Sequence, residues 1–192
     1  MAILEILHYP DPRLRKKSEP IPAVTEEVSQ FAQDMLETMY SFHGIGLAAP
    51  QVDRRIRMLV ADCRPKDEAG SRYHLEDATD LEKNVQQPLV LINPEIVKKE
   101  GETTYDEGCL SIPSYYETVK RFEYIEVEAF NEKGEKILVK TDGLLAICIQ
   151  HEIDHLDGKL FIDRLSTIKA NRLKAKIKKF GYPDEQDDES EE

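Results

Sequence analysis

The nine residues Gln150-His151-Glu152-Ile153-Asp154-His155-Leu156-Asp157-Gly158 constrain this chain more than any other stretch. They contain His-Glu-x-x-His. On a helix, positions four apart share a face, so His151 and His155 can grip one metal ion together. Glu152 lies one step round from His151. It can reach a water on the metal while pointing away from the ligand positions. Two imidazole ligands and a carboxylate proton carrier make the layout of a metal hydrolase. Just upstream, Gly143-Leu144-Leu145-Ala146-Ile147-Cys148-Ile149 is strongly apolar. The helix is therefore expected in the core, with Gly158 as its stop. The plain alternative is a surface helix that carries the pattern by chance. In a buried helix two histidines and two acids must find partners, since unpaired buried polar groups are costly.

A catalytic tetrahedral site takes three protein ligands and leaves one position open. The usual downstream third ligands of metallopeptidases are missing. A His six residues after His155 would fall at Phe161, and no Glu occurs between Glu152 and Glu185. Asp157 and Asp163 remain, but Asp157 is too near to bend back. The ligand is expected upstream. In Glu107-Gly108-Cys109-Leu110-Ser111 a cysteine follows a glycine, in an irregular stretch just past a strand. A dication would keep its thiolate deprotonated. A free cysteine is otherwise a small buried hydrophobe; the incomplete histidine pair decides for Cys109 as ligand. Cys148, three residues before His151, is expected to line the same cavity without ligating. Cys63 belongs to the core.

Composition allows such an enzyme. The chain has 192 residues, 40% hydrophobic and 33% charged, enough for one soluble domain with a proper core. No apolar run approaches the ~20 residues of a membrane span. The N-terminus reads as neither secretion signal nor transit peptide, so a cytoplasmic protein is expected, and a monomer. Cys63, Cys109 and Cys148 cannot all pair within the chain, and a reducing compartment keeps them as thiols or ligands. The net charge of −12 is unevenly spread: seven acids crowd into Asp184 to Glu192, and six bases without an acid run from Lys169 to Lys179.

In chain order, Pro10-Asp11-Pro12 and Pro20-Ile21-Pro22 mark turns. Thr25 is placed to cap a helix whose stripe is Val28, Phe31, Ala32, Met35, Leu36 and Met39. Gly44-Ile45-Gly46-Leu47-Ala48-Ala49-Pro50-Gln51 is small enough to admit another backbone, and lacks the marks of a phosphate loop. Ile56–Ala61 reads as a strand. Residues 64–88 read as a long polar loop. Leu89-Val90-Leu91-Ile92 reads as a short buried strand closed by Asn93-Pro94, and residues 125–139 as a hairpin turning at Asn131–Gly134. Ser166 is placed to cap a last helix reaching Phe180. The order predicts an α+β fold, with antiparallel or mixed sheets wrapped around the central metal-binding helix, plus an N-terminal and a C-terminal helix. Residues 1–181 are taken as one catalytic domain and 182–192 as an acidic, disordered tail.

Three segments, Gly44–Gln51, Glu107–Ser111 and Gln150–Gly158, stand together in the order and spelling of one family: the chain resembles bacterial-type peptide deformylase from the Pro10-Asp11-Pro12 turn to about the final helix. The 64–88 segment is longer than in the shortest members, and the acidic tail is an addition. The resemblance implies removal of the formyl group from the formyl-methionine that begins new polypeptides, releasing formate. It implies Cys109, His151 and His155 as ligands, Glu152 as acid and base, and Gln51 with the backbone N–H of Leu110 as oxyanion donors. It implies Fe2+ as the ion, with Zn2+, Ni2+ or Co2+ able to replace it. Ile45 and Gly46 would receive an extended peptide along their backbone, with Gly108 beside it. Ile45, Leu144, Ile147 and Cys148 would form an apolar slot for the methionine side chain; for Leu144 and Ile147 ordinary core packing explains the residues equally well. Glu107 is expected as structure near the site, and Asp154 as a group that orients its neighbours.

The basic last helix is either a solvated face or a surface that docks on ribosomal RNA through phosphates. Two rivals share the metal motif. A metallopeptidase cutting internal bonds would want a downstream third ligand. A structural metal site would be closed by four protein ligands, and no fourth is evident.

Overall fold

The computed structural model describes residues 2–183. Helix α1 (Glu26–Ser41) starts where Thr25 accepts the Val28 N–H at 3.4 Å, which satisfies one of the orphan donors of a first turn. Phe31, Ala32, Met35, Leu36 and Met39 are buried, so the helical stripe is the core face. Then come strand β1 (Gly46–Ala48), β2 (Met58–Ala61), a one-turn helix α2 (Asp80–Lys83), β3 (Leu89–Glu100), β4 (Thr103–Cys109), β5 (Ile112–Arg121), β6 (Tyr124–Phe130), β7 (Lys136–Thr141), α3 (Gly143–Leu156) and α4 (Thr167–Phe180).

The strands make a five-stranded sheet in the order β1-β2-β3-β6-β7 and a two-stranded sheet β4-β5, and every pairing is antiparallel. Alternation along the strands divides the core. Leu59, Ala61 and Leu91 face α3, while Met58, Val60, Val90 and Ile92 face α1. Burial on both faces is why β2 and the start of β3 are unbroken apolar runs rather than alternating ones. Helix α3 runs between the large sheet and the β4-β5 hairpin, and every residue from Leu145 to Leu156 is buried. Helix α4 closes the far side with Leu173 and Ile177 against Ile112, Val119 and Phe161. This is the α+β arrangement around a central helix that the sequence predicts. No helix among the described residues is long and apolar enough to cross a membrane.

Four expectations change. Asn93-Pro94 does not close the strand: β3 continues to Glu100, and the register with β6 slips between Ile92 and Glu95. The slip accommodates Pro94, which has no N–H to give; Asn93 turns at φ +52° and its side chain holds the Ile21 N–H and carbonyl, both at 2.8 Å. Cys109 is the last residue of β4, not part of an irregular stretch beyond a strand. The 64–88 segment carries α2 and a bridge between Lys66 and Arg72. Tyr182, assigned by sequence to the tail, packs on the body: its ring meets His8 and Tyr115, and its hydroxyl donates to the Tyr9 carbonyl at 2.7 Å. The acidic stretch 184–192 lies outside the described residues.

Candidate active site

Two elements carry the chemistry. Helix α3 supplies His151, Glu152 and His155. Strand β4 supplies Cys109, at a register shift between Glu107 and Cys109 just before the turn into β5. Such a shift re-aims a side chain, and the Cys109 thiol points at the helix. Cys109 Sγ lies 3.3 Å from His155 Nε2, and His155 Nε2 lies 3.2 Å from His151 Nε2. The three donor atoms all fall within 4.8 Å of one another. Two ring nitrogens this close cannot both turn lone pairs inward without a cation between them. A thiolate with two imidazoles suits a transition metal, so Cys109, His151 and His155 could hold one.

The surroundings favour a positive charge there. His151 donates through Nδ1 to Glu107 Oε2 at 2.8 Å, so that in the neutral ring Nε2 carries the lone pair. The ring also stacks on Phe161, with centroids 6.1 Å apart. Burial opposes charge on His151, but Cys109 and Glu107 outweigh it and hold its pKa well above the ordinary value. Burial and the neighbouring His151 keep His155 neutral. Its Nδ1 is buried without a partner.

Behind Glu107 runs a chain of ion pairs. Arg121 binds both Glu107 oxygens, at 2.6 and 2.8 Å. It also reaches Asp154 Oδ2 at 2.6 Å, and Arg164 takes both Asp154 oxygens at 2.5 and 2.6 Å. Burial raises the cost of charge on Glu107 and Asp154, yet these partners hold both carboxyls below their ordinary range. Glu107 thus orients His151 directly. Asp154 touches no ligand and acts on Glu107 only through Arg121.

Glu152 has the opposite setting. Its Oε2 is buried with no hydrogen-bond partner. Burial pushes its pKa up to about 7, helped by the charge on Glu107. The carboxylate lies against Gly46, where an added Cβ would strike it and stand 2.7 Å from Cys148 Sγ. The Cys148 thiol stays protonated, held by its hydrogen bond with Cys63 and by burial, and it donates to the Ile45 carbonyl at 3.4 Å. It lines the cleft and lies outside the Cys109, His151 and His155 group.

Gln51 is fully positioned. Its Oε1 accepts the Ala48 N–H at 2.8 Å, while Nε2 donates to Ser111 Oγ at 3.1 Å and faces Cys109 Sγ at 3.6 Å. Ser111, given no role from sequence, is fully buried and points its N–H at Cys109 Sγ from 3.4 Å. Arg121, Arg164 and Phe161 were also missed, because no local spacing ties them to the motif.

These groups open on a cleft of about 480 Å3. Ile45, Gly46, Gly108, Leu110, Leu144 and Ile147 line it, together with Gln51, Cys109, Cys148, His151 and Glu152. His155 sits behind the wall. Ile45 stands at the mouth, 40% exposed, and Tyr105 and Tyr116 add aromatic rims.

Three donor atoms that could hold one metal, a buried carboxyl with an unpartnered oxygen and an amide NH2 beside a cleft have the layout of a metal-dependent amide hydrolase. Comparison narrows the class. The model of the polypeptide deformylase family matches residues 3–171. A peptide deformylase of Neisseria meningitidis serogroup C is 50% identical over 179 residues, 93% of this chain and 96% of that one. The crystal structure of a peptide deformylase from Legionella pneumophila superposes with a TM-score of 0.78 at 40% identity, covering 93% of this chain and 95% of its own. That of Ehrlichia chaffeensis, in complex with actinonin, gives 0.80 at 37% identity over 93% and 98%. The chain belongs to the polypeptide deformylase family. It is accordingly a hydrolase that removes the N-terminal formyl group from nascent peptides.

Proposed function

We propose that deformylation here uses Glu152 as proton carrier, Gln51 and the Leu110 N–H as oxyanion donors, and Cys109, His151 and His155 as the ligands of one divalent metal. Fe2+ is the proposed ion in the cell, and Zn2+, Ni2+ and Co2+ suit the same donors. The observation that carries this reading is the convergence of three donor atoms within 4.8 Å beside a buried carboxyl with an unpartnered oxygen. When bound, the ion lowers the pKa of water and polarises a carbonyl oxygen.

Glu152 takes a proton from the attacking water at its free Oε2. The new C–O bond forms first and leaves an oxyanion for Gln51 and the Leu110 N–H to hold; the C–N bond then breaks as Glu152 passes its proton to the departing amine nitrogen. The products are formate and a free N-terminus. A carboxyl pushed up to about 7 can both accept and return a proton near neutral pH. Gln51 cannot turn, because Ala48 holds its oxygen; its NH2 is aimed before the substrate arrives, as an oxyanion donor must be.

Strand β1 is an edge of the large sheet, so an extended peptide can add beside it. The Ile45 carbonyl already accepts the Asp62 N–H at 2.8 Å. By antiparallel alternation Gly46 presents its backbone outward. Gly46 therefore receives the peptide backbone, and Ile45 contributes its side chain. Ile45, Leu144, Ile147 and Cys148 form the slot for the methionine side chain, with Gly108 beside the peptide.

Residues 1–181 form the catalytic domain on this reading, with Tyr182 packed upon it; the chain acts as a cytoplasmic monomer. Helix α4 buries Ala170, Leu173 and Ile177 and exposes Lys169, Arg172, Lys176, Lys178 and Lys179. That outward charge is suited to RNA phosphates, and we assign it to docking on the ribosome, where the substrate is made.

Incubating the chain with formyl-Met-Ala-Ser and with a peptide blocked at its N-terminus tests the reading. Formate from the first and no cut in the second is expected; cleavage of only the second would reverse the assignment to a metallopeptidase.

A further inference from the structure

The 64–88 excursion takes no part in the chemistry above, yet it is tied to the core at both ends. At its start the fully buried Asp62 accepts from Tyr40 Oη at 2.8 Å and from Arg64 at 2.9 and 3.0 Å, and Arg72 lies 3.9 Å over the Tyr40 ring. At its end Gln87 Oε1 accepts the Cys63 N–H at 2.7 Å. Between these anchors Thr79 caps α2 by accepting the Glu82 N–H at 3.0 Å, and its hydroxyl also hydrogen-bonds Asp142. Glu82 is thereby driven against the start of α3, where it is only 4% exposed.

A helix begins with N–H groups that have no partner inside it. Asp142 occupies the cap position of α3 but makes no side-chain cap bond. The Glu82 carboxylate stands at that first turn instead, where the Leu144 and Leu145 N–H groups offset part of the burial that pushes its pKa up. Glu82 Oε2 presses on Gly143 so closely that a Cβ there would strike it. A carboxylate about sixty positions upstream in the chain thus stands where a cap of this helix would stand.

We propose that Glu82 is a positioning residue: the excursion lends its carboxylate to cap α3 and so sets Leu144 in the wall of the methionine slot. The rest of α3 is held by other groups. Gln150 binds the Phe122 N–H and carbonyl, each at 2.9 Å, and Glu107 binds His151 at 2.8 Å. Loosening the first turn therefore moves the slot wall and leaves His151, Glu152 and His155 in place. Its effect falls on substrate binding and side-chain choice, not on turnover. The proposal rests on the slot assigned above.

The test compares formyl-Met-Ala-Ser with formyl-Ala-Ala-Ser as substrates of the full metal-loaded chain, in wild type, Glu82→Ala, Glu82→Gln and Thr79→Ala. Loss of a helix cap corresponds to about fivefold in an equilibrium. Glu82→Ala is expected to raise KM for the methionine peptide by about that factor and to narrow the preference for methionine, with kcat and metal content held. Glu82→Gln keeps one acceptor oxygen and restores most of the difference. Thr79→Ala, which loosens α2 and frees Asp142 but keeps the Glu82 carboxylate, gives a smaller KM rise and serves if Glu82→Ala does not fold. A Glu82→Ala enzyme with unchanged KM and preference overturns the proposal, as does one whose kcat falls together with its metal content. A wild type without preference for methionine overturns the slot itself, and is told apart because no substitution is needed to see it.

Discussion

Glu107 accepts the Nδ1 proton of His151 at 2.8 Å while Arg121 grips both of its oxygens. One carboxylate thus decides which nitrogen of a candidate ligand faces the metal position, and a buried arginine keeps that carboxylate charged. Replacing Glu107 by Gln keeps the shape and weakens the orientation. Metal affinity is expected to fall by about 10- to 100-fold, measured by competition with a chelator. Turnover per bound metal should change far less. Glu107→Ala is a different experiment, since it strands Arg121 without its bidentate partner. Loss of about 3–5 kcal/mol of stability is expected there, read from urea unfolding.

Glu152 makes opposite demands on activity and stability. Its carboxyl is raised to about 7 in the fold, against about 4.3 in an unfolded chain. A raised acid favours the protonated form when folded, so the metal-free protein loses stability as pH rises from the unfolded value through about 7, by up to about 4 kcal/mol. Glu152→Gln has no proton to lose. Scanning calorimetry of metal-free samples should find the variant more stable than wild type at about pH 8 and equal to it near pH 4. The variant should also lose nearly all deformylation.

Gln51→Ala removes one prearranged donor while leaving Cys109, His151 and His155 in place. A fall in kcat of about 100- to 1000-fold is expected, with KM moving little. The free Ala48 N–H and Ser111 hydroxyl then share the vacated space, so thermal unfolding should be measured alongside to separate the loss of a donor from local collapse.

Gly46 has no spare room. A methyl group there meets the Glu152 carboxyl and the Cys148 thiol. Gly46→Ala is expected to displace Glu152 and to lower kcat/KM by about 100-fold, since misplacement by an ångström is that costly. Circular dichroism should remain that of the folded protein.

The charged face of α4 has a separable role. Lys178→Glu with Lys179→Glu leaves the buried Leu173 and Ile177 untouched, unlike removal of the helix, which would expose them. Ribosome co-sedimentation should weaken in the double variant and in high salt, with activity on short peptides unchanged. Equal sedimentation of variant and wild type would refute docking through this helix.

The parts legible in the sequence are those written in local periodicity. The α1 stripe, the β6-β7 hairpin, the Ser166 cap and the four-residue histidine spacing are each patterns within one element. Cys109 was reachable because the histidines lacked a third partner. The extension of β3 past Pro94 was not, since a bulge is decided by the pairing of β3 with β6 and by Asn93 bonding Ile21 across the fold. The ion-pair chain from Glu107 through Arg121 and Asp154 to Arg164 joins four separate stretches. Only the folded chain brings them together. The same holds for Glu82, whose polar segment reads as a loop until its partner, the first turn of α3, is placed beside it.

The central claim is that one metal held by Cys109, His151 and His155 serves Glu152 in hydrolysing a formamide. Its most direct measurement is formate release from formyl-Met-Ala-Ser during anaerobic titration of the metal-free chain with Fe2+, for wild type, Cys109→Ser and Glu152→Gln. Activity should saturate at one equivalent of metal in wild type. Cys109→Ser should retain little metal, and Glu152→Gln should bind it fully yet release almost no formate. Full turnover by Glu152→Gln, or saturation unchanged in Cys109→Ser, would contradict the account.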